Sequence, residues 1–98
     1  MIMEYSRIIF SGHAIRQMVR RRIARNDVLE VINNGKVIID YPDDTPYPSY
    51  LMLGFVNDNP IHVVFASDWE TRTAIVVTAY VPDSKLWSED FRSRKNTK

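Results

Sequence analysis

The order of apolar and polar positions divides the chain into two helices followed by a run of strands. Ile8 to Phe10 is a short apolar stretch that reads as a first strand or an extended lead-in. Ser11 comes next, in the position of an N-cap, where a hydroxyl accepts a backbone N–H that the first turn leaves free. From Gly12 to Arg22 the pattern is helical. At about 100° per residue, Ala14, Ile15, Met18 and Val19 share one arc, and His13, Arg16, Gln17 and Arg20 share the other. The first arc is expected to be buried and the second exposed. Arg22 falls on the apolar side, so the helix should end about there. A second helix is expected from Arg25 to Asn34, with Val28, Leu29, Val31 and Ile32 as its stripe and a tight connection around Ile23 and Ala24. Gly35 is then a natural C′ residue, stopping the helix in the left-handed region.

Beyond Gly35 the period changes. Lys36 to Tyr41 reads as a strand, and Pro42 to Pro48, with three prolines and two aspartates, as a loop. Tyr50 to Val56, Ile61 to Ser67 and Thr73 to Val81 are further strands, joined by a turn at Asn57 to Pro60 and a link at Asp68 to Arg72. Several are apolar on both faces, so helices should cover one side and something partial the other. Pro82 ends the last strand, and Leu86 and Trp87 should pack a final turn onto the body. The expected fold class is α+β: two N-terminal helices packed on a three- to four-stranded antiparallel sheet. Residues 1–91 form a single domain in this reading, and 92–98 a basic, disordered tail.

Ninety-eight residues, 45% of them hydrophobic, suit one domain with a modest core. The absence of cysteine excludes a disulfide scaffold, a thiolate metal site and a cysteine nucleophile. No apolar run approaches a membrane span and the N-terminus lacks signal-peptide architecture, so a cytoplasmic location is expected. The net charge of +1 hides an asymmetry. Arg7, Arg16, Arg20, Arg21, Arg22 and Arg25 precede Asp27 with only Glu4 against them, and most acids lie mid-chain. That distribution fits a local polyanion contact, and it equally fits a solvated helix face.

The reactive side chains are few. No glycine-rich phosphate loop and no histidine–carboxylate set at ligand spacing is present, so neither a metal nor a cofactor is expected. His13 falls in the first turn of a helix beside Arg16 and Arg20. The helix dipole and two cations favour its neutral form, which suits a general base. His62 lies on the strand face opposite Ile61, Val63 and Phe65. With Ser67 opposite Thr73, it would stand across from Thr78 and close to Tyr80. A satisfied, half-buried histidine beside an amphipathic tyrosine is the plainer reading of the same pair. Together these side chains could supply the base, acid and cations of metal-independent RNA cleavage by 2′-hydroxyl attack. Exposed tyrosines and Trp69 could stack on bases.

Several motifs carry a family resemblance: Ser11-Gly-His-Ala14 with Met18 and Arg21, Asp27-Val28, Asn34-Gly35, the run Tyr41 to Ser49, Ile61-His-Val-Val64, and Tyr80-Val-Pro-Asp83 with Trp87. From about Phe10 to Trp87 the chain resembles the family known as domain of unknown function 4258. That family is similar to the RelE-, ParE- and BrnT-like toxins, small domains with two helices on an antiparallel sheet. The resemblance implies an RNA-cleaving toxin, acting on free or ribosome-bound mRNA, paired with an antitoxin-like zinc-finger or DNA-binding protein. Its motif positions fall on His13, Arg21, His62 and Tyr80, with Arg16 and Arg20 added as phosphate-binding cations. Two positions depart: Gln17 stands where the family has arginine, and Arg22 where it has glycine. A non-catalytic RNA- or partner-binding module and a ParE-like enzyme inhibitor are the alternatives. The catalytic reading requires the basic helix and His62 to face one cleft.

Overall fold

A computed structural model describes residues 5–95. The elements are β1 (Arg7–Phe10), α1 (Gly12–Arg21), α2 (Arg25–Asn34), β2 (Lys36–Tyr41), β3 (Ser49–Val56), β4 (Asn59–Asp68) and β5 (Thr73–Tyr80). Among the described residues the sheet has five strands in the order β1-β5-β4-β3-β2. β1 runs parallel to β5, and the other pairs are antiparallel. The sheet is therefore mixed and larger than the antiparallel meander expected from the sequence. The difference is β1, four residues too short to show alternation, which becomes an edge strand only because α1 and α2 carry the chain over the sheet.

Ser11 caps α1 as expected, its Oγ accepting the Ala14 N–H at 3.0 Å. The helix stops at Arg22, whose backbone is left-handed at φ 57° and ψ 39°. A left-handed non-glycine residue costs on the order of 1 kcal/mol, a cost glycine would not incur here. The buried stripe of α1 is narrower than its apolar arc. Ala14 and Met18 are buried, but Ile15 is 51% exposed and Val19 74% exposed. α1 packs over β5 near the sheet edge, and a helix there has neighbours on only one side of its stripe. In α2, Val28, Val31 and Ile32 reach the core, and Asp27 Oδ2 accepts the Ala24 N–H at 3.0 Å. Gly35 is not left-handed. Its backbone is extended, at φ −80° and ψ −172°, and the chain runs straight into β2.

Strand alternation assigns the two sheet faces. Met52, Ile61, Val63, Phe65, Val76 and Ala79 meet Ala14, Met18, Val28, Val31 and Ile32 in one core. The β3–β4 hairpin turns on Asn57 and Asp58, both at positive φ, as a two-residue turn between twisted strands requires. A bulge interrupts β4–β5: Val64 faces Thr78 but Phe65 faces Val76, leaving Val77 as the extra residue. Past the bulge His62 stands directly opposite Tyr80, and Thr78 opposite Val64. The expected register, with Ser67 opposite Thr73 and His62 across from Thr78, is off by two residues: Ser67 pairs with Ala74, one residue on, and the bulge adds the second.

The face away from the helices is covered by the chain after β5. Trp87 is buried there, and a bridge joins it to Arg94. Lys95 N–H donates to Leu86 O and Ser88 N–H to Ser93 O, both at 2.8 Å. Arg92 to Lys95 are thus tied to the body, where a disordered tail was expected from Arg92 onward; 96–98 lie outside the described residues. Leu86, expected to pack inward with Trp87, is 43% exposed. Among the described residues no helix is long and apolar enough to cross a membrane.

Candidate functional site

The predicted site residues divide into two groups on opposite faces of the sheet. His13, Arg16 and Arg20 project from the exposed side of α1, each about one helical turn from the next. Among the described residues none of the α1 arginines forms an ion pair, and His13 has no hydrogen-bond partner. α1 has no acid in its first turn and ends on Arg20 and Arg21. Arg21 diverges from the other two. Its Nη1 donates to Gln17 Oε1, one turn back, so Gln17 orients this guanidinium. Arg21 and Arg22 then line a hollow of about 250 Å³ at the helix junction, with Asn57 and Asn59 across from them.

The second group centres on His62, which is wholly buried. β4 places it on the outer face beside Leu53 and Tyr80, its partners across the ladder. Its Nε2 lies 2.8 Å from Phe91 O, and its Nδ1 lies 3.2 Å from the Tyr80 hydroxyl. A carbonyl only accepts, so Nε2 carries the proton and Nδ1 accepts from the phenol. Trp87 closes the ring from above, edge-to-face at 4.4 Å between centroids. Burial pushes the imidazole below its ordinary pKa, partly offset by the Phe91 carbonyl. Burial likewise pushes the Tyr80 phenol up; Tyr41 adds to that and Arg94 opposes it. Both shifts favour a neutral, hydrogen-bonded pair.

The chemistry open to each group follows. Both His62 nitrogens are engaged and no face of the ring is open to solvent, so in this arrangement it exchanges no proton with a ligand. Its contacts join β4, β5 and the segment after β5. The α1 group presents cations and one accessible imidazole on a convex surface. The cleft that was to combine His13 with His62 does not form, because α1 packs on the Val63 and Phe65 side of β4. Trp69 is half exposed, with Tyr5 stacked on it at 5.5 Å.

Sequence reasoning missed Phe91, whose carbonyl rather than its side chain does the binding, and Arg94, which faces the Trp87 ring at 5.6 Å. A buried tryptophan beyond the last strand was the available signal, since it needs a surface to cover. Which backbone atom would follow it into place has no sequence signature.

No curated protein and no solved structure matches the chain. A family model does match, over residues 10–81. That span starts at the last residue of β1 and ends just past β5, taking in both helices, His13, His62 and Tyr80. It stops short of Trp87 and the covering segment, which the resemblance had included. With most of its length inside the match, the chain belongs to the family described as Domain of unknown function (DUF4258).

Proposed function

We propose that this domain binds RNA through the exposed face of α1, as a non-catalytic module of the toxin–antitoxin kind. One observation carries the reading: Arg16 and Arg20, with His13 one turn before Arg16, form an exposed row whose guanidinium groups have no ionic partner among the described residues. Guanidinium groups left unpaired on a convex helix suit a phosphate backbone, which needs spaced cations rather than an enclosing pocket. On the motif resemblance read from the sequence, RelE-like behaviour would make RNA the polyanion, the cytoplasm the location, and a small zinc-finger or DNA-binding protein a companion. Arg16→Ala and Arg20→Ala are each expected to lower the slope of log affinity against log salt by about 0.7 on single-stranded RNA. The loss should be alike for unrelated RNA sequences. Filter binding across a salt series measures it, and an unchanged slope in both variants would sink the reading.

A second reading keeps cleavage and rests it on His13 alone. The imidazole is accessible and lies one turn from Arg16 and two from Arg20, so a bound 2′-hydroxyl could meet a base with a cation nearby. Cleavage that survives EDTA should then fall by about 10²- to 10⁴-fold in His13→Ala, with no change in thermal unfolding. Any loss in a His62 variant should instead track the fraction unfolded. Equal cleavage by His13→Ala and the parent chain removes this reading and leaves RNA binding in place.

A further inference from the structure

α1 leaves more apolar surface uncovered than its place in the fold requires. Ile15 and Val19 are one turn apart and are 51% and 74% exposed. They border a hollow of about 290 Å³ whose other walls are Phe10, Met18, Ile23 and Arg25. Arg25 lies over the Phe10 ring at 5.4 Å, so the hollow has a cationic lip. Helical spacing sets Arg16 one turn before Val19. Arg16 has no ion pair among the described residues.

The geometry points to a docking site for an acidic amphipathic segment of a partner protein. Its apolar side chains would enter the hollow beside Ile15 and Val19, and its carboxylates would meet Arg16 and Arg25. Charge decides among the occupants. A second copy of this chain docked by two-fold symmetry would oppose arginine to arginine, which costs rather than stabilises. RNA would satisfy the arginines but not the aliphatic side chains, which offer bases no ring to stack on. An apolar strip edged by carboxylates satisfies both halves of the surface. The inference shares Arg16 with the RNA reading but rests on Ile15, Val19 and the hollow, which that reading does not use.

The test uses the full chain and two synthetic helix-forming peptides of roughly 16 residues, long enough to hold a helix. Both carry leucine at positions i, i+3, i+4 and i+7; one is flanked by glutamates, the other by lysines. The glutamate peptide is expected to bind and the lysine peptide to fail. Ile15→Ser and Val19→Ser should each weaken the glutamate peptide about tenfold while leaving thermal unfolding and RNA affinity unchanged. Three results would overturn the proposal: equal binding of the two peptides, unchanged peptide affinity in both serine variants, or loss of RNA affinity in those variants. Concentration-dependent dimerisation abolished by the serine changes would overturn it too, in favour of a second copy. Failure here with intact salt-dependent RNA binding leaves the RNA reading standing.

Discussion

Replacing His62 with alanine is expected to destabilise the domain by about 3 kcal/mol and to loosen the segment that covers the outer face of the sheet. The ring fills the space between Tyr80 and Trp87, and its loss opens a cavity there. It also leaves the Phe91 carbonyl and the Tyr80 hydroxyl without their partner. Urea unfolding reads the stability, and Trp87 fluorescence, moving toward the emission of a solvated indole, reads the loosening. The parent chain should further show a pH dependence that the variant lacks. Burial holds the folded imidazole below its ordinary value of 6.5, while the unfolded chain takes up the proton at that value. The unfolded state thus binds more protons as pH falls below about 6.5. Stability from the neutral ring is complete above that pH, declines below it, and stops changing once pH passes the lowered folded value. Asp90, held below its ordinary 3.8 by hydrogen bonds from Ser88 and from the Arg92 N–H, changes charge at lower pH and does not blur that window. An alanine variant as stable as the parent, with the same acid limb, would show that His62 does not hold this face together.

That result would also bear on function, because it divides residues that one motif list had joined. His13, Arg21, His62 and Tyr80 were grouped through a family resemblance, and a resemblance records which residues recur, not whether they meet. The helical period put Arg16 and Arg20 on the exposed side of α1 correctly, because two arginines and a histidine cannot leave solvent without partners. The period of two put His62 opposite Ile61, Val63 and Phe65, also correctly. Neither period says on which side of the sheet the helices lie relative to a given polar residue. The apolar side chains decide it: Val63, Phe65 and Val76 offer the larger dry surface, so the helices take that face and His62 is left on the other.

What stayed hidden was long-range or subtle. β1 gains its standing only by pairing with β5, more than sixty residues later in the chain. A one-residue shift of the hairpin, with Ser67 meeting Ala74, and the bulge at Val77 together move His62 from Thr78 to Tyr80, and nothing in Thr-Ala-Ile-Val-Val-Thr-Ala-Tyr marks which valine is extra. Ile15 and Val19 look like core on a helical wheel. A wheel shows the arc available for burial, whereas the width of the neighbouring sheet sets the arc used, and α1 sits near the edge.

Gly35 shows how a correct element boundary can rest on the wrong cause, and substitutions there should separate the two. As a left-handed C′ residue it would tolerate asparagine better than alanine. The backbone is instead extended, a conformation open to any residue, and the glycine is needed for space. A Cβ built there would lie 2.5 Å from Val31 O and 2.6 Å from Leu53 O. Both are backbone atoms, one in the last turn of α2 and one in β3, and neither can swing aside as a side chain would. Gly35→Ala is therefore expected to cost about 3 kcal/mol, at the upper end for overpacking, with Gly35→Asn at least as damaging. Gly54→Ala serves as the comparison, since its obstacles are the Val31 Cγ2 atom at 2.8 Å and the Val31 Cα and Cβ at 3.1 Å, all on one side and less close than the two carbonyl oxygens at Gly35. Its cost should be about 1–2 kcal/mol. The ranking, read from urea midpoints with unchanged slopes, distinguishes the explanations: asparagine tolerated at Gly35 would restore the left-handed account. The close approach also reaches the site. Val31 O accepts the Gly35 N–H at 2.7 Å, and Leu53 is the β3 residue paired with His62. Forcing α2 away from Leu53 should disturb the sheet beneath His62, so Gly35→Ala should loosen Trp87 as well, with every contact of His62 itself left chemically intact.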